Sequence, residues 1–339
     1  MMHPLAWLTW LASAALCALV TRNPLYLILL LAFVGLVLSS LPRSGDEHPL
    51  RISPFRFAAF AVVVGAVFNA LTSHVGETVI LHLPRGLPLL GGDITAEALA
   101  FGAINGLVLG ALFAAFAVLN AAVPVRDLIG YLPRAFYPLA VVSAIAISFV
   151  PNTIKQVEKV REAQAVRGHR MRGVRDWLPL FMPVLIGGLE RAMQLAETMT
   201  ARGFAGISGA RPSTGAQLAS LGGLMVVLAG GIARLLPSYA IWSPFLLAAG
   251  LALVIWAVWR AGRRVRRTRY HRHVWTFGDT VVTLGALAAV APMLIWTASR
   301  TYSPYPELTW PAFDLRVGGA LLGFMVPALM RTPAEAELP

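Results

Sequence analysis

Eight apolar runs dominate the chain, and each approaches or reaches the roughly 20 helical residues needed to cross about 30 Å of hydrocarbon. They cover residues 5–20, 25–41, 55–71, 96–123, 217–236, 241–259, 274–296 and 313–330. In lipid only helices and closed barrels satisfy every backbone group, and unbroken runs of this length carry no strand alternation. The expected fold is all-α: a polytopic membrane protein with about eight transmembrane helices. Composition excludes a soluble globule, since 57% of the 339 residues are hydrophobic and 13% charged, against roughly 45–50% and about 25% in soluble domains. The first two runs, joined by Thr21-Arg22-Asn23-Pro24, read as a membrane hairpin. The first run lacks a basic leading region, which argues against a cleaved signal peptide.

A further apolar stretch, 135–151, is interrupted by Pro138, and positive charge decides its place. If it does not span, segments 42–56, 124–213, 260–272 and the C-terminus share one side and hold 23 of the 28 Lys and Arg residues. Arg22, Arg85, Arg234, Arg300 and Arg316 fall on the other. Positive residues favour the cytoplasmic side, so the reading is a multi-pass protein of the cell membrane with both termini in the cytoplasm. It divides into an N-terminal transmembrane bundle (1–123), a cytoplasmic region of amphipathic helices (124–213) and C-terminal transmembrane helices (214–339).

The formal charge of +12 does not imply nucleic acid, because much of it lies in the run Arg260–Arg272 directly after a span. There arginines fix topology and meet anionic headgroups. His271 and His273 have no acidic or cysteine companions, and the single cysteine, Cys17, excludes a disulfide framework and a cysteine-based zinc site. No metal site is expected. The phosphate-binding GxxxxGK[ST], the nucleophile elbow GxSxG and the zinc motif HExxH are all missing from the sequence, so no catalytic residue and no directly bound cofactor is expected. Ionisable residues inside spans usually mark ion pathways, yet the middle of every run lacks them. The remaining alternative is a membrane-embedded enzyme or self-sufficient carrier, using His74, Glu77, His82, Asp93 and Glu97 around the loop 75–97. An ordinary polar outer loop is the favoured explanation of those residues.

Gly102, Gly106 and Gly110 recur every fourth residue, as do Gly319 and Gly323. Such spacing puts a smooth strip on one helix face, where another backbone can approach closely. The strip is either a packing surface within the bundle or a docking face for a separate membrane subunit.

The most informative segment is 152–206. Asn152 can cap a helix that runs through Lys155, Val157, Val160 and Ala163 to Arg167, with Gly168 just beyond. A second helix is expected from about Leu185 to Arg202, with Gly203 beyond. Both ends carry Glu five residues before an Arg-Gly pair: Glu162-Ala163-Gln164-Ala165-Val166-Arg167-Gly168 and Glu197-Thr198-Met199-Thr200-Ala201-Arg202-Gly203-Phe204. Singly, Arg-Gly is helix-stopping chemistry, with a cation at the negative end of the dipole and glycine in the left-handed cap. Two matched copies 35 residues apart present two arginines at helix tips, and arginine is a favoured interface anchor.

In these signatures the sequence resembles the transmembrane T component of energy-coupling factor (ECF) transporters, the EcfT/CbiQ family. The resemblance covers about residues 1–206, including Asn23-Pro24-Leu25 and Phe149-Val150-Pro151. It implies a non-catalytic coupling subunit of an ABC-type importer for a vitamin or a transition-metal ion. By the same resemblance Val166-Arg167-Gly168 and Ala201-Arg202-Gly203 dock into two ABC-type ATPase subunits, alike or different, which hold ATP and Mg. Their motion is passed to a small substrate-binding membrane protein, the S component, with the glycine strip as a candidate surface for it. Val166 stands where the family motif has alanine, and the C-terminal part is longer than the family leads one to expect.

Overall fold

The computed structural model describes residues 2–41, 53–73, 75–82, 92–168, 177–203, 214–239, 241–263, 274–296, 302–306 and 308–330. The helices are α1 (Pro4–Val20), α2 (Pro24–Ser40), α3 (Pro54–Thr72), α4 (Ala96–Ala122), α5 (Val125–Ile129), α6 (Tyr137–Val166), α7 (Leu178–Ala201), α8 (Thr214–Leu235), α9 (Ser243–Gly262), α10 (Phe277–Ile295), α11 (Leu315–Leu321) and α12 (Val326–Met330). Three-residue turns of 3₁₀ helix precede α6 and α9, and Leu322–Met325 links α11 to α12 in the same form. Six helical stretches are long and apolar enough to span a membrane: 54–72, 96–122, 134–166, 214–235, 243–262 and 277–295, with shorter apolar helices at 4–20, 24–40 and 315–330. This is a multi-pass membrane architecture of the all-α class, with a single short pair of strands among the described residues. Every run expected to span is helical, and α6 meets the same measure of length and hydropathy although charge placement argued against it.

Helix starts follow from local chemistry. Proline occupies the first turn of α1, α2, α3, α6, α7 and α9, where its missing N–H costs no helical bond. Asn23 Oδ1 caps α2 by accepting from Leu25 N–H at 3.0 Å, and Thr95 Oγ1 caps α4 by accepting from Ala98 N–H at 3.3 Å. The expected single span 313–330 is instead two short helices joined by a 3₁₀ turn. Pro327 cannot donate to the carbonyl four residues earlier, and helix-weakening glycines stand at 318, 319 and 323.

The contacts divide the chain differently from the three expected segments. One unit comprises residues 1–125 together with 271–339, and the other comprises 126–270. In the first, α4 packs on α1, α2 and α3, while α10 packs on α1 and the segment 315–330 packs on α2 and α10. Specific bonds join its two ends: Trp10 Nε1 donates to Phe324 O at 3.1 Å, Asn23 Nδ2 to Ala312 O at 2.7 Å, and Asp314 N–H to Tyr26 Oη at 2.7 Å. Such pairings span nearly 300 residues, beyond the reach of hydropathy.

Asp279 is fully buried and gathers three donors: His3 N–H at 2.7 Å, Thr276 N–H at 2.8 Å and the Thr276 hydroxyl at 2.7 Å. Hydrogen bonds to a charged acceptor contribute about 1.5–3 kcal/mol net. Asp279→Ala is expected to destabilise the chain by about 2–3 kcal/mol, read as earlier thermal unfolding in detergent micelles.

The strip Gly102-Gly106-Gly110 lies against α3 of the same chain. A Cβ at Gly102 would overlap Gly65 O and Asn69 Cβ, one at Gly106 would overlap Ala61 O, and one at Gly110 would meet Ala58. Asn69 Nδ2 also donates to Ala98 O at 2.6 Å. The strip is thus packed against α3 of the same chain along its length. Gly323 is likewise pressed on Gly285 O, whereas Gly319 has open space.

In the second unit α8 and α9 form a hairpin through small residues, with Gly223 and Gly250 at the crossing and Ser243 Oγ donating to Gly230 O at 3.0 Å. The end of α9 meets the 3₁₀ turn Arg134–Phe136 at Gly262.

Candidate functional site: two matched helix ends

The helix leading to the first arginine is longer than its sequence suggested. Asn152 is not a cap, because α6 runs unbroken from Tyr137 to Val166 with Pro151 inside it. Pro138 sits in the first turn, where it fits, and Pro151 removes one internal N–H without ending the helix. Nearby, Asn152 Nδ2 donates to Ser148 O at 3.2 Å and Thr153 Oγ1 to Phe149 O at 2.9 Å. Similarly, α7 begins at Leu178 and carries Pro183 in its second turn.

Both helices end in the same geometry. Arg167 has φ −77° and ψ 7°, and Arg202 has φ −83° and ψ 7°. The glycines that follow are left-handed, with φ +80° at Gly168 and +76° at Gly203. Gly168 N–H donates to Ala165 O at 2.9 Å and Gly203 N–H to Thr200 O at 2.9 Å, while Arg167 and Arg202 N–H return to Ala163 O and Thr198 O. This is the left-handed cap that glycine tolerates best. A Cβ at either glycine would meet nothing within 4 Å, so conformation rather than space requires glycine there. Gly168→Ala and Gly203→Ala are each expected to cost about 1–2 kcal/mol at the helix end, seen as faster amide exchange in the last turn of α6 or α7.

The tips are open. Val166 is 90% exposed, and Glu162, Ala163, Arg167, Gly168, Glu197, Ala201, Arg202 and Gly203 are exposed as well, with Gln164 half-buried. Among the described residues no carboxylate lies within ion-pair distance of either arginine; Glu162 and Glu197 do not close onto them. Phe204 lies outside the described residues. The sequence did not reveal how the helices are joined: α6 packs on α7, and a Cβ on Gly187 would overlap the Gln156 amide. The Gly187-Gly188 pair inside an apolar helix was the available signal. From this crossing the tips stand about 16 Å along α6 and about 22 Å along α7, at 1.5 Å per residue. Met182, Ile186, Leu189 and Met193 form an exposed apolar stripe on α7.

The outer-loop residues form no comparable centre. Val79–His82 and Asp93–Thr95 make a two-stranded antiparallel hairpin on which His82 Nδ1 meets Asp93 Oδ1 at 2.6 Å. Glu97 is buried, its Oε1 accepting from Thr78 N–H at 3.1 Å. Among the described residues no three of His, Cys, Asp and Glu converge as a metal site would require; His74 lies outside them. Of the basic run 260–272, only 260–263 is described.

A bundle of apolar helices, two of which end in the same arginine-glycine cap geometry, defines a multi-pass membrane protein. Residues 2–214 match the CbiQ family model, described as cobalt transport protein. The chain belongs to the EcfT/CbiQ family of ECF-transporter transmembrane components. It is 28% identical over 207 residues to the energy-coupling factor transporter transmembrane protein EcfT of Bacillus selenitireducens, covering 56% of this chain and 73% of the relative. It is 25% identical over 130 residues to EcfT 1 of Listeria monocytogenes (32% and 49%) and 38% identical over 72 residues to EcfT of Leuconostoc gelidum (20% and 27%). The chain thus spans half or less of the latter two relatives. No solved structure matches it.

Proposed function

We propose that this chain is the coupling subunit of an ECF-type importer, passing the motion of two partner ATPases to a substrate-binding S component. The observation that carries the reading is the match of the two helix ends: the same Arg-Gly cap, twice, exposed and, among the described residues, without an acidic partner. Each arginine enters a groove on one ATPase subunit. ATP and Mg belong to those partners; this chain contributes binding and leverage. Because α6 and α7 cross at Gln156 and Gly187, closing two docked ATPases changes the angle between two stiff rods. A rigid-body change of that kind biases a two-state element elsewhere. With the basic segments in the cytoplasm, in keeping with the positive-inside bias, the tips face the ATPases and both termini lie on that side of the cell membrane. The cargo is a vitamin or a transition-metal ion, in keeping with the family's description as a cobalt transport protein.

The test is gentle purification of the tagged chain from native membranes, with mass spectrometry of what accompanies it. Two nucleotide-binding subunits and a small hydrophobic membrane protein are expected. Recovery of the folded chain alone would overturn the proposal.

A further inference from the structure

The C-terminal end of α9 carries a second basic group whose geometry differs from that of the coupling tips. Trp256, Trp259, Arg260 and Arg263 follow the i, i+3, i+4, i+7 pattern and share one helix face. Each arginine lies over the indole one turn earlier: Arg260 is 5.2 Å from the Trp256 ring and Arg263 is 4.6 Å from that of Trp259. All four side chains are exposed, Trp256 by 46% and Trp259 by 58%. Gly250 and Ala257, which are buried, lie on a different side, where Gly250 packs on α8. Gly262, buried on another side of α9, is where the 3₁₀ turn at Arg134 packs. Among the described residues no carboxylate pairs with Arg260 or Arg263.

Toward the N-terminus of α9 the same face continues as Ala252, Ala249 and Phe245, all exposed and uncharged. Small residues at 249 and 252 leave a shallow lane between the Trp256 and Phe245 rings. A free phosphate needs only the arginines, whereas a lane of apolar surface ending in guanidinium groups suits an amphiphile. Stacking on indole holds each guanidinium in place, so less side-chain freedom is lost when it binds a phosphate.

We propose that Arg260 and Arg263, framed by Trp256 and Trp259, form a binding site for the headgroup of an anionic phospholipid whose acyl chain lies along Ala252, Ala249 and Phe245. The site is independent of the coupling reading, since none of its residues belongs to the α6 or α7 tips.

The full chain is purified in mild detergent and offered equal amounts of dioleoylphosphatidylglycerol and dioleoylphosphatidylcholine, and bound lipid is counted by native mass spectrometry. Wild type is expected to retain the anionic lipid preferentially. Arg260→Gln with Arg263→Gln is expected to lower that preference about thirtyfold, as loss of two juxtamembrane charges implies. Trp256→Leu with Trp259→Leu keeps the charges and is expected to weaken it by a smaller factor; no change in this variant, the result general surface charge would give, would overturn the proposal. Equal retention of both lipids by wild type, an unchanged preference in the arginine double variant, or displacement of the lipid by inorganic phosphate alone would each overturn the proposal.

Discussion

Arg167→Glu combined with Arg202→Glu is expected to abolish co-purification of the ATPase subunits while leaving the thermal unfolding of the chain itself unchanged. Each buried arginine anchor contributes on the order of 2 kcal/mol or more to an interface. Losing two, with reversed charge at both, lowers affinity on the order of a thousandfold or more. Folding is spared for a structural reason: both side chains are exposed, neither meets a carboxylate among the described residues, and the caps depend on Gly168 and Gly203 rather than on the arginines. Single variants are expected to retain one docked subunit or a weakened pair. A double variant that still assembles and transports would sink the coupling reading, whereas loss of the folded chain would point to a structural role for the tips.

Gly106→Leu is expected to have the largest effect on the bundle itself. A Cβ there already overlaps Ala61 O and comes against Val62 Cα, so a leucine must push α3 and α4 apart. Overpacking a well-filled site costs about 1–3 kcal/mol and sometimes more, and backbone on the opposing side cannot rotate away as a side chain can. We expect the upper end, at least about 3 kcal/mol, with little monodisperse protein recovered. Gly319→Leu is the matched control: that glycine also belongs to a four-residue repeat but has no atom within 4 Å. Its expected cost is within about 0.5 kcal/mol, the range of surface changes away from special features. Equal melting temperatures for the two variants would remove the argument that α3 fills the strip.

That contrast also shows where the sequence stopped being informative. The four-residue repeats at 102–110 and 319–323 look alike as strings, yet only contact geometry separates a filled strip from an open position. Apolar runs did locate the helices, because hydropathy and helix length are local properties. The two Arg-Gly ends were legible for the same reason, since a cap is written within five residues. The continuity of α6 was not: Pro151 followed by Asn152 has the appearance of a stop and a start, but one lost N–H in a long helix does not outweigh the remaining backbone bonds. The joining of α6 to α7 at Gln156 and Gly187, and the pairing of Trp10 with Phe324, depend on contacts across 31 and 314 residues. Nothing in local spacing encodes these.

The division of the first unit into two distant pieces imposes an order on biosynthesis. Residues 2–122 reach the membrane long before α10 is made, with about 155 residues still to come, or roughly 8–31 s at 5–20 residues per second. Through that interval the Trp10 indole N–H, the Asn23 amide and the His3 N–H lack the acceptors that Phe324, Ala312 and Asp279 later provide. The nascent N-terminal helices are therefore an unfinished intermediate, packed on one another through α4 but without their partners from the later part of the unit. The later-made segments around Asp279, Ala312 and Phe324 act as the clasp that joins the inserted helices into one unit.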